Sequence, residues 1–238
     1  MKALIFDCDG VLVDTERDGH RVAFNRAFAA AGIDAEWSVD EYGELLKIAG
    51  GKERMTHYFN QHGWPNGKTA ETLIPELHKR KTAIFTDLIA KGSLPLRPGI
   101  SRIVDEAHAA GVRLGVCTTS DPKAIDGVLD LFGAQRKKWF EIVLAGDIVK
   151  KKKPDPEIYN LAKQKLKLDG KDCVVVEDSR NGLLASLGAG MPTLITTSTY
   201  TKDEDFKGAA KVVPELGDAP KVLVTLKDLK AIGAQRAA

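Results

Sequence analysis

The chain has 238 residues, 43% of them hydrophobic and 29% charged. That is enough to bury a sizeable core, as one large domain or as a core with a smaller lobe. A net charge of +2 gives no global field for nucleic acid or an anionic membrane, and no apolar stretch reaches a membrane-spanning length, so neither partner is expected.

Met1 leads directly into the apolar run "ALIF" (3–6), with no charged n-region and h-region, so no targeting peptide is expected in this chain. The run ends abruptly in Asp7, Cys8, Asp9 and Gly10. Residues 16–95 then carry helical patterns only, from "GHRVAFNRAFAAAG" to "LIPELHKRKTAIFTDLIAKG", without valine or isoleucine runs. They are expected to form a helical domain inserted after the first strand, with "LPLRPG" (94–99) as the return hinge. The core is then discontinuous, made of residues 1–15 and 96–238.

Beyond the hinge, strand-like runs alternate with helical ones. "VRLGVCT" (112–118), "EIVLAG" (141–146), "CVVVED" (173–178) and "PTLITT" (192–197) are separated by stretches that open on proline and close on glycine. The central runs are nearly continuous in apolar residues, which points to a parallel sheet covered on both faces, in an open α/β fold. The tail "AIGAQRAA" (231–238) is expected to fray. Three cysteines, Cys8, Cys117 and Cys173, lie in or beside apolar runs and are odd in number, which suits buried free thiols in a reducing compartment. Cys8 and Cys117 adjoin candidate catalytic residues, which raises the question of redox sensitivity.

In open α/β sheets, ligands sit beyond the carboxyl ends of the strands. There the first run delivers Asp7 and Asp9, and the second delivers Thr118, Thr119 and Ser120. Lys153 follows the third, and the fourth ends in Glu177 and Asp178. Clustered carboxylates repel unless a cation joins them, and oxygen-only ligands beside a phosphate select Mg²⁺. Thr118 and Lys153 offer a donor and a positive charge to phosphoryl oxygens. Asp7 can attack phosphorus, and Asp9 is close enough to move the proton. Gly10 permits a sharp turn.

"FDCDGVLVDTE", "VCTTS", "KKPDPEIY" and "VVVEDSRNG" resemble, in order, the four signatures of the haloacid dehalogenase-like phosphatases. "TERDGHRVAFNRAF", "LLKIAGGKERM", "LHKRKTAIF" and "LPLRPGI" resemble a narrower group, the CbbY-type phosphatases, which remove a phosphate from xylulose-1,5-bisphosphate, an inhibitory by-product of Rubisco. The resemblance covers the whole chain. It implies a Rossmann-like parallel-sheet core with a C1-type helical cap. It also implies Asp7 as nucleophile and metal ligand, and Asp9 as acid/base with its carbonyl on the metal. Asp178 is the third protein ligand, Glu177 ligates through water or orients a ligand, and Thr118 and Lys153 hold the phosphoryl group.

A bisphosphate needs a second anion site, for which Lys52, Arg54, Lys81 and Arg97 are candidates, with Gly50 and Gly51 freeing backbone N–H groups. Glu16 and His20 are candidates for sugar hydroxyls, and Thr119 and Ser120 join the substrate-binding set. Lys150, Lys151 and Lys152 read as a solvated run, and Lys79 to Lys81 also fit the wet face of a helix. Phe24 and Phe28 read as packing. His57, His62, His78 and His108 lack metal-ligand spacing. A β-phosphoglucomutase-like mutase shares all four motifs, and a non-catalytic sugar-phosphate sensor is a reading of a different class. A monomer is expected, in the chloroplast stroma of a plant or alga or otherwise in the cytoplasm.

Overall fold

A computed structural model describes residues 1–91 and 94–234. β1 (Ala3–Phe6) is buried along its whole length. A π-helical turn (Glu16–His20) runs into α1 (Arg21–Ala30), followed by α2 (Val39–Leu45), α3 (Gly51–His62) and the long α4 (Ala70–Ala90). No strand occurs between β1 and α5 (Ile100–Ala109) among the described residues. From there helix and strand alternate: β2 (Arg113–Cys117), α6 (Pro122–Asp130), α7 (Gly133–Lys137), β3 (Phe140–Leu144), α8 (Glu157–Leu166), β4 (Cys173–Glu177), α9 (Arg180–Gly188) and β5 (Thr193–Thr196). The short β6 (Lys211–Val213) and α10 (Leu226–Ala234) complete the described chain.

The six strands form one sheet in the order β3-β2-β1-β4-β5-β6, every pairing parallel. Side chains alternate across a strand, so β1 divides its residues between two layers. Leu4 and Phe6 join Val174, Val176, Leu114 and Val116 beneath α5, α6 and α10. Ala3 and Ile5 join Cys173, Val175 and Cys117 beneath α8 and α9. Burial of each apolar layer stabilises the sheet between its helices, at ~25 cal/mol per Å² removed from water. The architecture is thus a Rossmann-like α/β core with an inserted helical segment.

That insertion has its own buried cluster, built on Phe24, Phe28, Trp37, Tyr42, Met55, Phe59, Leu73 and Leu77. Phe85 and Ile89, late in α4, belong instead to the core layer under α5 and α6. One helix therefore anchors both lobes. Where the chain leaves and re-enters the core, Val13 and Leu96 form an antiparallel bridge. Among the described residues no helix is long and apolar enough to cross a membrane.

Two edge strands and one changed expectation complete the architecture. β6 pairs with β5 although it is exposed, because its ladder rather than burial holds it. β3 is an edge strand and alternates, with Glu141 and Val143 facing solvent. Residues 231–234 finish α10, where Ile232 is buried, and only 235–238 of the tail lie outside the described residues.

Candidate active site

Strand order reverses at β1, with β2 on one side and β4 on the other, which opens a crevice at the carboxyl ends of these strands. Asp7 continues the ladder by one residue, its N–H donating to the Val176 carbonyl at 2.9 Å. The chain then turns at Gly10, whose φ of 80° lies in the left-handed region. A Cβ there would fall 2.0 Å from Oδ2 of Asp178. Glycine is therefore what lets the β1 and β4 ends approach. Beyond Asp178, Ser179 caps α9, its hydroxyl accepting from the Gly182 N–H at 3.1 Å. A Cβ on Gly182 would fall 2.0 Å from Glu177, so that turn is equally close-packed.

Lys153 Nζ donates to Asp7 Oδ1 at 2.7 Å, to the Cys117 carbonyl at 2.9 Å and to Glu177 Oε1 at 2.5 Å. Tyr159 donates its hydroxyl to the same Glu177 oxygen at 2.6 Å. Lys153, Asp7 and Asp178 are nearly buried, and Glu177 is completely so. Two of these carboxylates, Asp7 and Glu177, thus share one ammonium, while Asp178 has no contact with it. Burial pushes the Asp7 carboxyl up to about 8, Lys153 only partly opposing it while Glu177 and Asp9 add to it. Burial also pushes Asp178 well above the usual carboxylate range, reinforced by Glu177 and Asp7. Burial works against the charge on Lys153, but Asp7 and Glu177 outweigh it and hold the ammonium protonated.

Asp7, Glu177 and Asp178 each offer an oxygen within 4.8 Å of the others. An all-oxygen set with too little positive charge is what a hard divalent cation such as Mg²⁺ satisfies. Asp9, Glu16 and His20 form a second such group among the described residues. Its atoms are already engaged, because Asp9 Oδ1 accepts from Thr15 at 2.5 Å and lies 2.5 Å from His20 Nε2. Asp9 Oδ2 accepts from Ser120, and Glu16 accepts from the Tyr42 hydroxyl. Burial opposes the Asp9 charge, but His20, Ser120 and Thr15 outweigh it and leave the carboxyl below its usual range.

Lys81 reaches this network from α4, its Nζ 2.5 Å from His20 Nδ1. The His20 ring therefore bridges Lys81 at Nδ1 and Asp9 at Nε2. His20 stacks on Phe85 with ring centroids 4.0 Å apart. Lys81 is therefore buried rather than on a wet helix face, and burial lowers it to about 8, partly offset by Asp9 and Glu16.

A cleft of about 370 Å³ lies between core and insertion. Of the residues singled out from the sequence, it gathers Asp7, Asp9, Thr118, Thr119, Ser120, Lys153, Asp178, Glu16, His20, Gly50, Gly51, Arg54 and Lys81. Glu177 lies behind this wall on Lys153 and Tyr159. Arg54 is largely committed, donating to the Leu45 and Ile48 carbonyls and the Tyr42 hydroxyl.

Two expected substrate ligands are not brought to the cleft. Arg97 donates to the backbone carbonyls of Gly10, Thr196, Thr197 and Pro214, so its guanidinium braces the strand ends. Lys52 points away and pairs with Asp147. Conversely, Lys47, His78, Arg180 and Asn181 line the cleft although the sequence assigns them no ligand role. All four lie within segments that resemble the family, but only the fold brings them to one cleft. The cysteines are all free and buried. Burial pushes the Cys8 and Cys117 thiols up, which disfavours the thiolate through which thiol redox chemistry runs.

This crevice, with its paired aspartates, hydroxyl, lysine and late acidic pair, is that of a phosphoryl-handling hydrolase. The family model of the haloacid dehalogenase-like hydrolases matches residues 1–190, and the chain belongs to that family. Within it, the chain groups with the CbbY proteins. It is 52% identical over 225 residues to the CBBY-like protein of Arabidopsis thaliana, covering 92% of this chain and 70% of that protein. It is 41% identical to the plasmid-encoded CbbY of Cupriavidus necator, covering 92% and 87%. The crystal structure of a CbbY point mutant from Rhodobacter sphaeroides in complex with xylulose-1,5-bisphosphate superposes with a TM-score of 0.88 at 38% identity, covering 96% of this chain and 99% of that one.

Proposed function

We propose that the protein is a Mg²⁺-dependent phosphatase that hydrolyses xylulose-1,5-bisphosphate through an aspartyl-phosphate on Asp7, and so removes an inhibitor of Rubisco. The observation that carries the chemistry is the setting of Asp7. Its Oδ1 is held by Lys153, while the carboxylate lines the cleft beside Thr118 and Asp178. The substrate is supported by the relative from Rhodobacter sphaeroides that was crystallised with that bisphosphate.

Asp7, Asp178 and the Asp9 carbonyl would hold Mg²⁺, with Glu177 orienting Lys153. When bound, the ion supplies charge neutralisation at the transferring phosphoryl group. Lys153 and the Thr118 hydroxyl bind the phosphoryl oxygens. Asp7 attacks phosphorus, the sugar oxygen leaves and Asp9 gives it a proton. Asp9 then takes a proton from the water that cleaves the acyl-phosphate, which restores Asp7 and releases phosphate. The hydrogen bonds that keep Asp9 ionised suit this second step, and substrate entry must displace some of them for the first.

Residues 16–95, of which 92 and 93 lie outside the described residues, act as the substrate-selecting cap over a core of 1–15 and 96–238. Arg54 and Lys81, with the N–H groups at Gly50 and Gly51, receive the distal phosphate, and Glu16 and His20 receive sugar hydroxyls. The enzyme works as a monomer, in the stroma of a plant or alga or in the cytoplasm of a bacterium.

The test is a panel of pentose bisphosphates and hexose phosphates with Mg²⁺, followed for free phosphate and isomerised sugar. Phosphate release from xylulose-1,5-bisphosphate is expected, and it should vanish in Asp7→Asn. Isomerised hexose phosphate without phosphate release would replace the phosphatase by a mutase.

A further inference from the structure

Lys152 belongs to a run of four lysines that reads as a wet surface, yet it is not solvated like its neighbour. Its side chain is 13% exposed, against 74% for Lys151. Nζ lies 2.9 Å from Glu53 Oε1 in the first turn of α3 and 3.2 Å from Asp147 Oδ1 in its own loop. The other Asp147 oxygen pairs with Lys52, again from α3. Two lysines and two acids thus alternate across the boundary, one of each sign from the insertion and one of each from the core. Gly50 closes against them, because a Cβ there would fall 2.2 Å from Glu53 Oε2 and 2.9 Å from Lys152 Nζ.

We infer that Lys152 is a positioning residue that ties the insertion to the catalytic loop and so sets how the two walls of the cleft face each other. One residue beyond it, Lys153 grips Asp7. On the other side, Gly50 and Gly51 line the cleft next to Lys52 and Glu53. The tie therefore joins the phosphate-holding loop of the core to the backbone N–H groups of the insertion, away from the chain crossing at Val13 and Leu96. Lys152 does not itself line the cleft, so its effect on substrate runs through its neighbours. A shared, half-buried lysine inside a network loses less to solvent screening than an isolated exposed pair.

The kinetic part of this inference rests on the phosphatase reading, and the experiment separates the two. Lys152→Met, Lys152→Arg and wild type are assayed on xylulose-1,5-bisphosphate, which must meet both walls, and on acetyl phosphate, which needs only the core. Lys152→Met should raise KM for the bisphosphate about fivefold, or ~1 kcal/mol, with kcat and acetyl phosphate hydrolysis within about twofold. Lys152→Arg should restore KM, and 0.5 M KCl should bring wild type towards the methionine variant. An unchanged KM in Lys152→Met overturns the inference. A second readout needs no turnover. Because the native cysteines are buried, nitroxides can be placed at Gln61→Cys in α3 and Asn160→Cys in α8. Their distance distribution should lengthen or broaden in Lys152→Met, and an unchanged distribution overturns the tie. If wild type hydrolyses neither compound, the phosphatase reading fails and the spin-label distances alone decide on Lys152.

Discussion

Lys153→Met removes the ammonium shared by Asp7 and Glu177 while keeping most of the side-chain volume. The lysine is 7% exposed and Glu177 is 0% exposed, so solvent cannot replace the lost charge. Breaking a buried ion pair by deleting one partner costs ~3–5 kcal/mol. In a chain of this length each kcal/mol moves Tm by about 2–4 °C, so a fall of roughly 10 °C is expected. The fall should depend on pH. In the metal-free protein the Asp7 carboxyl is raised from 3.8 to about 8. Across that interval the folded state binds more protons than the unfolded one, so stability is full below pH 4 and declines as pH rises towards 8. Without Lys153 the Asp7 carboxyl loses the charge that opposes its rise, so the decline should extend to higher pH. Thermal unfolding followed by circular dichroism in EDTA, at pH 5, 6, 7 and 8, measures both effects. A variant that melts within about 2 °C of wild type at pH 8 would refute the account of two buried carboxylates held by one cation.

Gly10→Ala should weaken Mg²⁺ binding by at least about tenfold in calorimetric titration, because its Cβ would collide with Asp178. Gly190→Ala is the control, with a φ of 74° and nothing within 4 Å. It should bear only the ~1–2 kcal/mol left-handed penalty and bind the ion normally, and equal Mg²⁺ affinities would defeat the argument. Arg97→Met strands part-buried carbonyls at Gly10, Thr196 and Thr197, at ~1 kcal/mol each, and an exposed one at Pro214 that water can serve. Its Tm should drop by about 5–10 °C with KM within about twofold, whereas a large KM rise at unchanged Tm would return Arg97 to substrate binding. Burial, then Lys81 and Lys52, lowers His78 to about 4 from 6.5. The unfolded state therefore binds the extra proton first, and this contribution to stability is present above pH 6.5 and is lost as pH falls to 4. A proton NMR titration should give a midpoint near 4 for His78, and His78→Gln should lose less stability than wild type over that range.

Strand identity was legible because β1, β2 and β4 sit in the middle of a parallel sheet, where burial on both faces writes a continuous apolar run. β6 and the alternating β3 lie at the edges, where that rule lapses. The core constellation was legible for a related reason. Asp7, Thr118, Lys153 and Asp178 follow strands at short range, and the topology of an open sheet brings strand ends together. The insertion offers no such rule. Arg97 and Lys52 have the right charge for a phosphate, but whether a cation meets substrate, carbonyls or a carboxylate depends on helix packing. Lys81, three residues after His78 on α4, illustrates the same gap: its burial follows from where Phe24 and Phe85 sit.

The hydrogen bonds at Asp9 bear on how such proteins diversify. Its partners come from the core at Thr15 and Ser120 and from the insertion at His20, which Lys81 contacts in turn. In the proposed mechanism proton transfer is then wired through both lobes, and the insertion is not an interchangeable module. A chimaera carrying a foreign insertion keeps its acid/base poised only if the histidine and lysine arrive in register. New specificities are then reached more readily by substitution at cleft positions such as Lys47, Arg54 and His78 than by wholesale exchange of the lobe that bears them.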